Sequence, residues 1–384
     1  MKKIIHGLIL VALVAAAAPS FSKTDTGKAV DPYWNDLARF LAGLPQRQES
    51  SFLPLTGLDV YTQHASAMEW FWTLVKKENE GFIIPWRTQY VPSRVKGTMG
   101  FYPFSGADFI NLYTFYPDCP SYLMMALEEP GAIPEPLKLN ANELAYGLQS
   151  VQRAISTIAS QNYLQSGIMA REMANKYIEG VTPSLLIFVA RLGFTVTDVS
   201  LVGIGPKGDV EPLDAQGLIG GSKPAVYGSR IMFMVPGETA ARSLVYLKAR
   251  LHNSILAKGT PEGKFFDKMK HMNMITKSAV YLLHTEWLLD VARHFMDRSD
   301  IIIQDDSAIP YRYFDPAQWE ILLFGTYSAP VALSDLPNPP QQPDLAYAYS
   351  IGSTPLAFNF GYGVWMGRGK SNLLRAVRKS KGKE

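Results

Sequence analysis

Val60, His64, Ala67, Phe71, Leu74 and Val75 recur at three- and four-residue steps, which predicts a helix over Asp59 to Glu80 with Gly81 as its stop. A short helix is expected near Trp34 to Ala42. Further helices are expected over Asn142 to Ala159, Ile168 to Glu179, Pro183 to Leu192 and Thr276 to Arg298. Strand patterns fall at Thr98 to Tyr102, Ser121 to Leu127, Phe194 to Ile204, Ser229 to Val235, Ser243 to Ala249, Asp300 to Ile303 and Glu320 to Thr326. Thr98 to Leu127 reads strand, helix, strand over some thirty residues. That spacing suits a βαβ crossover, which makes its two strands parallel. Strands alternating with helices, several of them continuously apolar, predict an α/β fold, a single large domain with a mostly parallel sheet flanked by helices, and the hairpin-like pair near 229–249 makes that sheet mixed.

The first residues follow a different rule. Lys2 and Lys3 precede an almost unbroken apolar run from Ile4 to Ala18, then Pro19-Ser20-Phe21-Ser22. A basic start, a greasy middle and a small-residue end predict a signal peptide over 1–22, cleaved after Ser22. The run of about 15 residues makes roughly 22 Å of helix, short of the ~30 Å of a bilayer core. No later run is long enough, so no transmembrane segment is expected after cleavage, and a periplasmic or secreted location follows. The remaining organisation reads as an N-terminal extension (23–58), the α/β domain (59–367) and a basic C-terminal tail (368–384).

Charge sharpens this picture. The formal net charge is +3, yet the stretch from Lys23 to Gly367 holds 28 basic and 33 acidic residues. The basic surplus sits in the leader and in the last seventeen residues, which read as a solvated end. Basic residues in the body are not interleaved with stacking aromatics, so no nucleic-acid partner is expected. Cys119 is the only cysteine, which excludes an intramolecular disulfide.

Candidate chemistry lies at strand ends, where open α/β sheets bind ligands. Three apolar strands run into polar clusters: Ser105 to Asp108, Glu128-Glu129 and Gln304 to Ser307. Parallel strands would gather them into one acidic cleft lined by Tyr102, Ser105, Asp108, Glu128, Asp305 and Arg312, suited to a small polar ligand. Asp108 is equally placed to cap the helix after it. On a helix over Thr276 to Arg298, His284 shares a face with Lys277, Val280, Tyr281, Leu288, Val291 and Phe295, opposite Glu286, Asp290, Arg293 and Asp297. An extracytoplasmic hydrolase is the alternative, with Asp305 or Asp306 as base or metal ligand and His284 as proton carrier. A non-catalytic envelope protein is the third reading.

No cofactor and no metal site is expected. Gly203-Ile204-Gly205-Pro206-Lys207-Gly208 has the dinucleotide spacing, but Pro212 and Gly217 follow where a helix must open. Gly369-Lys370-Ser371 lacks the earlier glycine of a phosphate loop, since position 364 is Val364. Ser93-Arg94-Val95-Lys96 precedes a strand rather than opening a helix.

Gly100-Phe101-Tyr102-Pro103-Phe104-Ser105-Gly106-Ala107-Asp108 and the segment Gln304 to Phe314 resemble signature stretches of a family of exported bacterial proteins without an established activity. The resemblance runs from about Tyr61 to Asn372 and brings no catalytic residue with it. More widely, the chain is similar to Rossmann-like α/β folds, including methyltransferases, in which an acidic residue ends the second strand as Glu128 does. It departs from them after the first strand, where one glycine stands in place of several. The resemblance therefore implies Rossmann-like architecture without a nucleotide-binding glycine loop.

Exported protein is expected to begin at Lys23. N-terminal sequencing checks this, and a chain still carrying Lys2 would contradict it.

Overall fold

The computed structural model describes residues 31–95, 99–162, 171–334, 336–366 and 371–379. The leader and its cleavage point lie outside the described residues. Ten strands form one sheet: β1 (Met99–Pro103), β2 (Ser121–Ala126), β3 (Thr195–Ile204), β4 (Val210–Pro212), β5 (Tyr227–Met234), β6 (Arg242–Lys248), β7 (Met272–Thr276), β8 (Ser299–Gln304), β9 (Trp319–Gly325) and β10 (Asn372–Arg378). Their order is β4-β3-β5-β6-β2-β1-β7-β8-β10-β9.

The sheet is mixed, as the hairpin-like pair near 229–249 implies, but it is not mostly parallel. Only the central run β6-β2-β1-β7-β8 is parallel. Both flanks are antiparallel: β5, β3 and β4 on one side, β10 and β9 on the other. In chain order the five parallel strands lie third, second, first, fourth, fifth. The expected crossover from β1 to β2 is present, and α4 (Phe109–Phe115) bridges it.

Side-chain alternation divides the core in two. Tyr102, Tyr122, Met124, Leu244, Tyr246 and Ile303 enter one buried cluster, covered by α1 (Pro32–Leu41), α2 (Asp59–Glu78), α4, α5 (Ala141–Gln161) and α6 (Thr182–Arg191). Phe101, Leu123, Met125, Val245, Leu247 and Ile302 enter the other, under α7 (Pro261–Lys268), α8 (Leu289–Arg298) and α9 (Pro343–Ile351). Strands buried on both faces read as continuous apolar runs, which is why β2, β6 and β8 are legible from the chain.

Four local expectations need correction. Gly81 does not stop the helix. A π-turn (Asn79–Ile83) carries the chain into α3 (Ile84–Tyr90), because buried Ile83 and Trp86 hold that turn on the core against the ~1 kcal/mol cost of one glycine. The expected helix over Ile168 to Glu179 begins outside the described residues, and from Met173 to Gly180 the chain turns without helix. Thr276 to Arg298 is not one helix. β7 ends at Thr276, Ser278, Val280 and Tyr281 take left-handed backbone conformations, two 3₁₀ turns follow, and α8 begins only at Leu289. His284 therefore sits on a short turn.

The fourth correction concerns the basic tail. Asn372 to Arg378 is β10, buried between β8 and β9. Its charges are absorbed locally. Arg375 pairs with Glu320 and donates to the Tyr90 carbonyl at 2.8 Å. Arg378 lies over the Trp319 ring at 4.4 Å and donates to the Ser299 carbonyl at 3.0 Å. Leu373→Ala is expected to cost about 2–5 kcal/mol in urea unfolding, while Lys379→Ala at the exposed strand end stays within about 0.5 kcal/mol. Equal, small effects would contradict a core role for β10.

Candidate functional site

At its carboxyl end β1 turns sharply through Phe104, a left-handed residue at φ 60°. The Ser105 N–H reaches the Met125 carbonyl of β2, and the chain then enters α4 at Asp108. Asp108 does cap that helix, accepting from the Asn111 backbone N–H at 3.3 Å. It does more than cap. The Asn111 side-chain amide donates to its Oδ1 at 2.8 Å and the Tyr102 hydroxyl to its Oδ2 at 3.2 Å.

Lys277, the residue after β7, meets the same carboxylate. Its Nζ lies 3.3 Å from Asp108 Oδ2, with side-chain exposures of 0% and 2%. The ammonium also donates to the Asn162 carbonyl and lies 5.6 Å from the centre of the Phe360 ring. Burial lowers the Lys277 pKa, and the Asp108 charge opposes that shift. Burial raises the Tyr102 hydroxyl well above its usual value.

One strand further on, β8 delivers Asp305 and Asp306. Adjacent residues in extended chain face opposite ways, and these two find different partners. Asp305 accepts from the backbone N–H groups of Ser278 (3.0 Å), Ser307 (3.1 Å) and Tyr362 (3.3 Å) and from the Ser307 hydroxyl (2.6 Å). Tyr362 can approach because Gly361, at φ +62°, has no Cβ to collide with Asp305 Oδ2. Asp306 accepts from the Tyr281 hydroxyl at 3.0 Å and the Asn372 amide at 2.7 Å. Burial, reinforced by the Asp305 charge, pushes Asp306 up to about 7, and burial raises Asp305 despite its donors. Ser278 joins the two groups, since it follows Lys277 in the chain and donates to Asp305.

Backbone strain collects in the same place. The described residues include six non-glycine positions at positive φ; five of them are Phe104, Asn162, Ser278, Val280 and Tyr281. Val280 is β-branched, which makes its φ of 53° a true outlier. Such strain costs about 1–3 kcal/mol per residue and persists only where surrounding contacts over-determine it. Three buried polar atoms here also have no partner among the described residues: Asn111 Oδ1, Thr276 Oγ1 and Ser278 Oγ. Buried polar atoms are nearly always satisfied, by protein or by ordered water.

The sequence-derived candidates divide accordingly. Tyr102, Ser105 and Asp108 lie at the β1 end, and Asp305 joins them through Ser278. His284 packs edge-on against the Tyr281 ring at 5.5 Å and meets the Asp306 and Ala308 backbone rather than either carboxylate. Burial lowers His284 to about 4, and its Nε2 is unpaired. Arg312 is exposed and stacks on its neighbour Tyr313. Glu128 lies apart, on a cavity of about 620 Å³ beyond the end of β2. The single acidic cleft is therefore two places. Beside Asp305 and Asp306 the cavity is only about 10 Å³, room for one water. The perturbed groups thus sit where space is least. Asn111, Asn162 and Asn372 escaped sequence reading because asparagine inside a helix, at a helix end or in a strand has no distinctive spacing. Lys277 was legible as a lone cation in an apolar stretch.

Among the described residues no three His, Cys, Asp or Glu side chains cluster as metal ligands, and no helix is long and apolar enough to cross a membrane. Comparison with protein families, curated proteins and solved structures finds no match.

An aspartate ordinarily titrates near 3.8, whereas folded Asp306 holds its proton to about 7. Between those values the folded state binds more protons than the unfolded one, so this group lowers stability as pH rises. Asp306→Asn removes that dependence. Its stability relative to the unsubstituted protein is expected to improve from about pH 5 to about pH 8 in urea unfolding. A constant or declining difference would contradict the raised value.

Proposed function

We propose that this chain is an exported binding protein that takes a small polar ligand at the carboxyl ends of β1, β7 and β8, where Lys277 and Asp108, buried against each other here, become its charged anchors when the strained turn over Ser278 to Tyr281 opens. The reading rests chiefly on one observation: three unpaired buried polar atoms and five strained residues surround a buried ion pair. Perturbed titrating groups and strain cluster at functional sites for physical reasons.

Topology supports the location. The third-second-first-fourth-fifth order of the parallel strands is that of doubly wound, Rossmann-like sheets, whose ligands bind where the order reverses. That reversal lies between β1 and β7, where Asp108 and Lys277 meet. The single glycine after β1 favours a ligand other than a dinucleotide. Export, a periplasmic setting and kinship with exported bacterial proteins belong to the same reading and rest on the leader and on the two signature stretches. The hydrolase alternative draws less support, because Asp305 already accepts four hydrogen bonds and His284 faces backbone.

Thermal-shift measurements on the chain from Lys23 onward, against sugars, amino acids, nucleotides and metal salts, test the proposal. One class is expected to raise Tm by several degrees, and the shift is expected to vanish in the double variant Lys277→Met/Asp108→Asn, which removes both charges together and strands neither. No shift from any class, or survival in the double variant of every shift that Glu128→Gln leaves intact, would overturn it.

A further inference from the structure

The cavity at the end of β2 is built separately from the site above. One wall is the chain from Leu127 to Gly131. It is pinned to the start of α6 by the Val181 N–H on the Glu129 carbonyl (3.0 Å) and by the Thr182 N–H and hydroxyl on the Pro130 carbonyl (3.1 and 2.7 Å). Gly131 and Gly180, at φ +73° and +74°, cross so closely that a Cβ on either would strike the other segment's backbone. The wall is therefore rigid and preformed. The opposite side comes from Tyr227 and Gly228 at the start of β5, and Leu201 and Leu213 supply apolar surface.

The charges around this space are unequal in use. Glu129 is engaged by Lys248 and by the Tyr227 hydroxyl at 2.9 Å. Glu179 accepts from the Ala132 N–H at 3.3 Å. Glu128 is half-buried, and its carbonyl accepts from the Tyr246 hydroxyl at 2.7 Å, while its carboxylate has no partner among the described residues. Lys223 is the one basic group among the described lining residues, and it is exposed. A cavity of about 620 Å³ falls within the range of roughly 300–1,000 Å³ typical of small-molecule sites, which pair apolar walls with a few fixed polar groups.

We infer that this cavity is a second binding site, independent of the Lys277 site, for a small amphipathic cation: an amine on an apolar body. The apolar part lies against Leu201, Leu213 and Met173, and the ammonium pairs with the free Glu128 carboxylate. With Glu129 paired to Lys248, the carboxylates of Glu128 and Glu179 against the Lys223 ammonium leave the lining net negative, which disfavours an anion of the same shape.

The probes are 2-phenylethylamine and its anionic counterpart 3-phenylpropionate, titrated into the chain from Lys23 onward and followed by ligand-observed NMR. The amine is expected to bind saturably and the carboxylate not to bind. Glu128→Gln is expected to weaken the amine at least about tenfold, which corresponds to loss of one charge-assisted contact. Leu213→Trp, which adds bulk to the cavity and keeps the Glu128 carboxylate, is expected to abolish binding with the circular dichroism spectrum unchanged. The Lys277→Met/Asp108→Asn protein is expected to bind the amine as the unsubstituted protein does, so failure of one site is distinguishable from failure of the other. Absence of saturable amine binding, equal binding of the carboxylate, or unchanged affinity in Glu128→Gln or Leu213→Trp would overturn the inference.

Discussion

The structure around the strand ends depends on the placing of β1 between β2 and β7, parallel to both. Parallel neighbours end on the same side of the sheet. Polar residues that leave β1, β7 and β8 are thereby brought to one edge although 169 positions separate Asp108 from Lys277 in the chain. Once there they are buried, and buried charge is tolerated only when paired and hydrogen-bonded. Asp108 with Lys277, and Asp306 with Asn372 and Tyr281, are answers to that requirement.

Those answers carry a cost that the fold offsets elsewhere. A buried ion pair gains little net stability over an apolar pair of the same volume, and strained residues subtract more. Two large apolar layers, one on each face of the sheet, supply the offset. Phe101, Leu123 and Met125 on one face and Tyr102, Tyr122 and Met124 on the other anchor the strands firmly enough for their ends to hold unfavourable conformations. Clamps such as Asn372 on Asp306 then fix the loop after β8 to a strand from the far end of the chain.

The two proposed sites use different physics. Around Lys277 the polar groups are sealed, and their pKa values are moved by loss of solvent. Around Glu128 the groups are open to the cavity, the walls are apolar, and rigidity comes from backbone contacts between two glycines rather than from a polar network. A shared edge of the sheet does not make them one cleft, because β2 ends beneath a loop tied to α6 whereas β7 and β8 end beneath Gly361 and Tyr362.

Local chemistry alone was enough for the α/β class, for the β1–α4–β2 crossover, and for β2, β3, β5, β6, β8 and β9, because an apolar run bounded by polar turns is a property of neighbouring residues. It also exposed Asp108 as a helix cap and Asp305 as a strand-end polar group. β7 was hidden because its five residues adjoin Lys277, Val280, Tyr281, His284, Leu288, Val291 and Phe295, whose three- and four-residue spacing imitates a helix. β10 was hidden because Arg375 and Arg378 look like a solvated tail until Glu320 and Trp319 are seen beside them. Strand order, the antiparallel flanks, the union of Asp108 with Lys277 and the separation of Glu128 from both were decided only in three dimensions. Each is a long-range pairing, and a chain's pattern of apolar and polar residues records which faces must be buried, not which distant segment will cover them.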